Sequence, residues 1–183
     1  MPVEYLSSEP IYQGRVFAVR RDRVRMPDGR EAAYDVIDHP GAVTLIPVDE
    51  QGRMWFVRQY RSGVRDTLLE LPAGTRDVGE DPQDCARREV REEIGLAARR
   101  IENIGEVYLA PGYSTEYMVF FLATDLVSDP LEGDEDEFLA VESYPVREVY
   151  RMAAAGEMRD GKTLAALLLA RPHLEKMFPK EFA

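Results

Sequence analysis

The chain has 183 residues, 45% hydrophobic and 31% charged, with 34 Asp+Glu against 23 Lys+Arg and a formal net charge of −11. That length fits one domain with a small appendage and buries a substantial core. The acidic surplus offers no general attraction to nucleic acid or to an anionic membrane surface, since both need clustered Lys and Arg. Cys85, the one cysteine, excludes an intramolecular disulfide framework and suits a reducing compartment. With only His39 and His173 beside that thiol, a zinc site is not expected. The opening residues show no basic segment followed by an apolar one, so no signal peptide is expected. The most apolar stretch, 164–170, falls far short of the roughly 20 residues needed to cross a bilayer. A cytoplasmic location is the expectation.

In chain order, residues 15–26 read as a strand that leads into the turn Pro27-Asp28-Gly29, and 30–38 follows as its hairpin partner. After His39-Pro40-Gly41, the apolar run 42–48, the turn Asp49-Glu50-Gln51-Gly52 and the run 54–57 predict a second hairpin, buried on both faces. Helix signals come next. Asp81-Pro82 is an N-cap followed by a first-turn proline, Asp84 lies in the first turn, and Gly95 is a typical stop. Further strands are expected at 104–109, 117–123 and 138–141, a short helix at 146–155 and another at 162–170. The pattern is mixed α/β, with the opening hairpin as a separate small sheet and no internal repeat.

On the helix after Asp81, Glu89, Glu92 and Glu93 stand at i, i+3 and i+4, within one arc of about 100°. Like charges at this spacing cost a helix a few tenths of a kcal/mol per pair. Two arrangements relieve that repulsion. One is a solvated face with Arg87, Arg88, Arg91, Arg99 and Arg100 nearby; the other is a hard divalent cation, which prefers carboxylate oxygens and shares them with phosphates.

The surrounding residues favour the cation. From Gly74 through Glu80 and Arg88-Glu89-Val90-Arg91-Glu92-Glu93 to Gly95-Leu96, the chain resembles the Nudix box without a mismatch. That pattern is Gly, five residues, Glu, seven residues, Arg-Glu, aliphatic, any, Glu-Glu, any, Gly, aliphatic. The resemblance implies an α/β/α sandwich on a mixed sheet and a site binding Mg2+ (or Mn2+) that hydrolyses a nucleoside diphosphate linked to another moiety. It makes Glu89 and Glu93 the main metal ligands, Glu92 a further ligand with a catalytic part, and the Ala73 carbonyl an additional ligand. Glu80 becomes a supporting acid, and Arg88 the cation that holds the carboxylates by charge-assisted bonds. Gly74 is expected to let the backbone turn and approach the metal.

Downstream, Ala110-Pro111-Gly112-Tyr113-Ser114-Thr115-Glu116 carries a proline fifteen positions after Leu96. This resembles the ADP-ribose pyrophosphatase branch, although many members have Ser where this chain has Ala110. By itself Pro-Gly is only a turn signal. Glu116 is then a candidate for a ribose hydroxyl or for orienting an arginine. The acidic run 132–137 reads as a solvated loop on charge alone; the resemblance instead places the general base on Glu135 and an extra metal ligand on Glu137. Arg61 resembles a phosphate-contacting arginine, and Glu70 stands at the entrance to the box. Tyr12 and Phe17 belong to N-terminal strands that in this branch pair across a homodimer and sandwich the base.

The expectation is therefore an N-terminal antiparallel β-extension, 1–40, that supports a homodimer, and a hydrolase domain, 41–183. The reaction implied is ADP-ribose plus water to AMP and ribose 5-phosphate, with a nucleotide sugar as small-molecule substrate and neither nucleic acid nor membrane as partner. The segment 156–163 resembles both the ADP-ribose and the GDP-mannose branches. A pyrophosphatase for GDP-mannose or a broader range of nucleotide sugars is the nearest rival, and a silent nucleotide-sensing module is a rival of another class.

Overall fold

The structure is a computed structural model that describes residues 2–77, 79–132 and 138–182. By contacts the chain divides into two compact units, Met1–Gly41 with Val107–Met118, and Ala42–Glu106 with Val119–Ala183.

The first unit is built on a three-stranded antiparallel sheet, β1 (Glu4–Gln13), β2 (Ala18–Arg25) and β3 (Glu31–Asp38), in that order. The expected hairpin is β2–β3, closed by Met26 N–H donating to Arg30 O at 2.8 Å and by Gly29 at φ 89°. Polar residues dominate β2, and register explains how they remain in a strand. Arg25 lies opposite Glu4 on one side and Glu31 on the other, while Arg21 lies opposite Asp35, so these two arginines meet carboxylates across the ladder. β1 carries Tyr12, which the resemblance puts on an N-terminal strand, but its local pattern does not show it: it is almost wholly exposed, bulges near Ser7 and at Pro10–Tyr12, and lacks the alternation that marks a half-buried strand. Phe17 lies in the tight β1–β2 connection and not in a strand, with Gly14 N–H donating to Phe17 O at 3.0 Å. Tyr12 lies on β1, and both rings are exposed. The Pro111–Glu116 loop docks on β3 in this unit, with Thr115 N–H donating to Ile37 O and Ile37 N–H to Tyr113 O.

The second unit holds two sheets. β4 (Ala42–Pro47) sits between β7 (Ala73–Thr75) and β9 (Tyr117–Ser128), with β8 (Leu96–Tyr108) at the edge. β5 (Arg53–Arg61) sits between β6 (Asp66–Glu70) and β10 (Ala140–Pro145). The predicted second hairpin is thus wrong in pairing. Its two strands separate into different sheets, joined by a bridge at Val48 and Met54. All six β4 residues are buried, with β7 and β9 as the in-plane neighbours of the strand. Helices α1 (Pro82–Ile94) and α3 (Gly161–Met177) both pack on β4, while α2 (Val146–Ala154) packs on β5 and β10.

Helix α1 has the ends its sequence announces, with the Asp81 side chain accepting from Gln83 N–H at 2.8 Å, Pro82 in the first turn, and Gly95 at φ 71°. Helix α3 runs seven residues past the expected stop at 170, through Pro172. Ala170 and Leu174, one turn apart and fully buried, anchor the helix on either side of the proline. Among the described residues no helix is long and apolar enough to cross a membrane.

Candidate active site

The carboxylates of α1 are gathered by one arginine. Arg88 donates from Nη1 to Glu89 Oε1 at 2.7 Å and to Glu92 Oε2 at 2.8 Å, and from Nε and Nη2 to the two oxygens of Glu80 at 3.1 and 3.2 Å. The hydrogen bond to Glu80 is the largest of the influences that hold Arg88 protonated above its ordinary value, ahead of an opposing desolvation. Glu80 is correspondingly pulled below its own ordinary value, and it also accepts from Asp77 N–H at 3.0 Å. Glu93 is aimed separately. It is 6% exposed, and its Oε2 accepts the Ala73 N–H at 3.0 Å, which ties the last carboxylate of the helix to strand β7.

Gly74 lies beside Ala73 on β7. Its φ is not among the positive ones, so no left-handed turn is needed. What it supplies is room, since a Cβ there would stand 1.8 Å from Glu89 Cδ and Oε1.

A second polar network adjoins this cluster. Glu70, 1% exposed at the end of β6, accepts both prongs of the Arg61 guanidinium, Nε to Oε1 at 2.9 Å and Nη2 to Oε2 at 2.7 Å. Lys162 Nζ also donates to Glu70 Oε2 and, at 2.9 Å, to Asp160 Oδ2. Asp160 caps α3 by accepting from Thr163 N–H at 3.0 Å, and the Thr163 hydroxyl accepts from Leu71 N–H at 2.9 Å. Burial pushes the Glu70 carboxyl up, but the hydrogen bond from Arg61 and the charge of Lys162 outweigh it, so Glu70 sits below its ordinary value. Glu93 is among the charges that raise Arg61, which places the two networks within electrostatic reach of each other.

Asp160, Lys162 and Thr163 were not singled out as site residues from sequence. One signal was present: Lys162 stands in the first turn of a helix, where the macrodipole disfavours a cation, and such a placement asks for a compensating acid. Cys85 is buried, and desolvation pushes its thiol far up, so it is no nucleophile. His39 takes a structural part, accepting from Gly41 N–H on Nδ1 at 3.1 Å. Glu116 lies in the first unit, where its carbonyl accepts from Leu109 N–H. Glu135 and Glu137 lie outside the described residues.

The donor set suits a hard divalent cation. Glu80, Glu89, Glu92 and Glu93 offer only carboxylate oxygens, and the absence of a side chain at Gly74 lets the Glu89 carboxyl lie against the β7 backbone, where a Cβ would collide with it. Among the described residues no three of these groups already stand in a ligating arrangement, and Arg88 holds three of them, Glu80, Glu89 and Glu92.

The NUDIX domain profile matches residues 38–167, and a nucleoside diphosphate sugar hydrolase N-terminal domain profile matches residues 4–37. The chain belongs to the Nudix hydrolase family. The Nudix match covers every residue of α1 and both networks, and the N-terminal match covers β1 to β3 almost completely. An ADP-ribose pyrophosphatase of Mycobacterium tuberculosis (strain ATCC 25618 / H37Rv) is 39% identical over 168 residues, 90% of this chain and 81% of that protein. An ADP-ribose pyrophosphatase of Bacillus subtilis (strain 168) is 32% identical over 164 residues, 88% of this chain and 89% of that one. A crystal structure of an ADP compounds hydrolase superposes with a TM-score of 0.86 over 97% of both chains at 24% identity, which bears on the fold alone. Nudix hydrolases depend in general on divalent metal ions.

Proposed function

We propose that this Nudix hydrolase cleaves the diphosphate of ADP-ribose to AMP and ribose 5-phosphate with Mg2+, or Mn2+ in its place. The observation that carries the reading is the buried pair Glu89 and Glu93, one steered by Arg88 and the other by the Ala73 N–H, on the helix of a complete Nudix box. Both sequence relatives named above are ADP-ribose pyrophosphatases over most of their length, and this supports the substrate.

In this reading Glu89, Glu93 and the Ala73 carbonyl hold the cation, with Glu92 as a further ligand. When bound, the ion neutralises the diphosphate and activates water. Arg88 keeps the acids in place before substrate arrives, so less reorganisation is left for the reaction itself. Glu70 holds Arg61 through Nε and Nη2, which leaves the Nη1 side of the guanidinium to donate to a phosphate, and Lys162 balances the charge of Glu70. Glu135 is assigned as base and Glu137 as an extra ligand on the resemblance alone. The same holds for Tyr12, Phe17 and Glu116 toward the nucleoside and ribose, and for a homodimer through the N-terminal sheet.

A substrate panel under Mg2+ tests the choice of ADP-ribose, and faster turnover of GDP-mannose would overturn it. Glu93→Gln keeps an acceptor for the Ala73 N–H but removes the charge, so turnover should vanish while the far-ultraviolet circular dichroism stays as in the parent. Retained turnover would remove Glu93 from the site. In Glu135→Gln, turnover should fall strongly while metal binding persists.

A further inference from the structure

Away from the carboxylates, four cations converge on one cleft. Arg87 comes from α1, Arg99 and Arg100 from β8, and Lys176 from the last turn of α3. The cleft has a volume of about 520 Å³, within the range of small-molecule sites. Its acid, Glu102, faces His173 at 3.7 Å. Among the described residues Arg99, Arg100 and Lys176 have no ion pair, and Arg87 donates only to the Ala98 carbonyl, at 3.1 Å. On a chain of net charge −11, where most arginines of the sheets and helices are matched to a carboxylate, an unmatched group of this kind is a local reversal of the field.

Edge protection accounts for part of it, because β8 is an edge strand and charged side chains keep such edges from pairing. It does not account for Arg87 and Lys176, which reach the same cleft from two helices. The lining also includes Ile101, Leu122 and Met177, so the cleft offers apolar surface beside its cations.

This place is distinct from the carboxylate site. On α1, Arg87 is rotated between about 120° and 160° from Glu89, Glu92 and Glu93. On α3, Lys176 follows Lys162 by fourteen positions, or about 21 Å along the axis.

We infer that the cleft is a second binding site, for a phosphate monoester with a flat or apolar organic part, of which a nucleoside monophosphate is a compact example. Four cations less one carboxylate leave a surplus of three, more than enough to neutralise a phosphate near −2, and the apolar residues take the organic part. The inference does not depend on which nucleotide sugar the carboxylate site hydrolyses.

The test uses the full-length 15N-labelled chain in EDTA, so that nothing turns over, titrated with AMP and separately with inorganic phosphate. Amide shifts report where each binds. Saturable shifts at residues 99–102 and 173–177 are expected with AMP. Phosphate should produce them about tenfold more weakly, as the apolar contact is lost. In Arg99→Glu/Arg100→Glu the AMP shifts at those residues should need about tenfold more ligand or more, while any shifts at 61–75 and 160–163 persist. Lys176→Glu, on a separate exposed turn, gives the same reading should the double variant fail to fold. Shifts confined to 61–75 and 160–163, or unchanged affinity in the charge-reversal variants, would overturn the site. Phosphate binding as tightly as AMP would overturn the apolar half of the ligand.

Discussion

Gly74→Ala isolates the geometry of the carboxylate cluster from the stability of the fold. The added Cβ would stand 1.8 Å from Glu89 Cδ and Oε1 and 2.4 Å from Oε2, whereas ordinary carbon contacts begin near 3.4 Å. The Glu89 carboxyl must therefore move by about 1.5 Å or more, measured against that contact distance. It is the far end of a long side chain and can do so by changing rotamer, at a cost of about 1 kcal/mol. The fold therefore survives, with a thermal midpoint lowered by only a few degrees. Function does not, because displacing a reacting or ligating group by about 1 Å costs on the order of a hundredfold in rate. Moving Glu89 also breaks its 2.7 Å bond from Arg88. Hydrolysis of ADP-ribose followed over a Mg2+ series should thus show a kcat about a hundredfold lower. Saturation should also shift to higher metal concentration. An alanine variant with the parent's kcat and metal dependence would refute the account, as would one that simply unfolds.

Other perturbations separate the two networks. Arg88→Ala leaves Glu80, Glu89 and Glu92 without their shared cation, so the metal-free protein should unfold at a lower temperature. Added Mg2+ should then raise the midpoint of the variant more than that of the parent, and equal increments in a thermal-shift assay would show that Arg88 does not offset the acids. Glu70→Gln leaves Lys162, only 10% exposed, with Asp160 as its remaining partner, and should cost about 3 kcal/mol in urea unfolding. The pH dependence has a definite sign: Glu70 lies below its ordinary 4.5 in the folded state, so its contribution is present above that value and is lost as pH falls through the folded one. The gap between parent and Glu70→Gln should narrow as pH falls below about 4.5, and a gap that stays constant as the protein is acidified would refute the assignment.

How much was legible depended on whether a residue's partner lies nearby in sequence. Helix α1 announced itself at both ends through Asp81-Pro82 and Gly95, because capping is local chemistry. The β2–β3 hairpin was readable for the same reason, through Pro27-Asp28-Gly29. The split of β4 from β5 was not, since an apolar run records that a strand is buried but not which strand or helix buries it. Strand β1 was hidden because cross-strand arginine–carboxylate pairs, and not alternating apolar residues, accompany its pairing. In the site, the acids of α1 were visible by spacing alone. The bracketing of Glu70 by Lys162 was not, since the position of α3 against β6 is set by the core and leaves no local pattern.

That division has a consequence for how the site comes into being as the chain folds. The bonds from Arg88 to Glu89, Glu92 and Glu80 span 1, 4 and 8 positions and can form with the first turns of α1, while loop-closure entropy is still small. The bonds from Lys162 to Glu70 and from Leu71 to Thr163 span 92 positions, and they wait for the C-terminal helix to reach the sheet. The acid cluster is thus an early, local structure, as is the Arg61–Glu70 pair, which spans 9 positions, and the Lys162 contact that completes the clamp is a late one. A nascent chain released before α3 would carry the acids in order but lack the finished clamp, so competence for the diphosphate would report that the whole domain has closed.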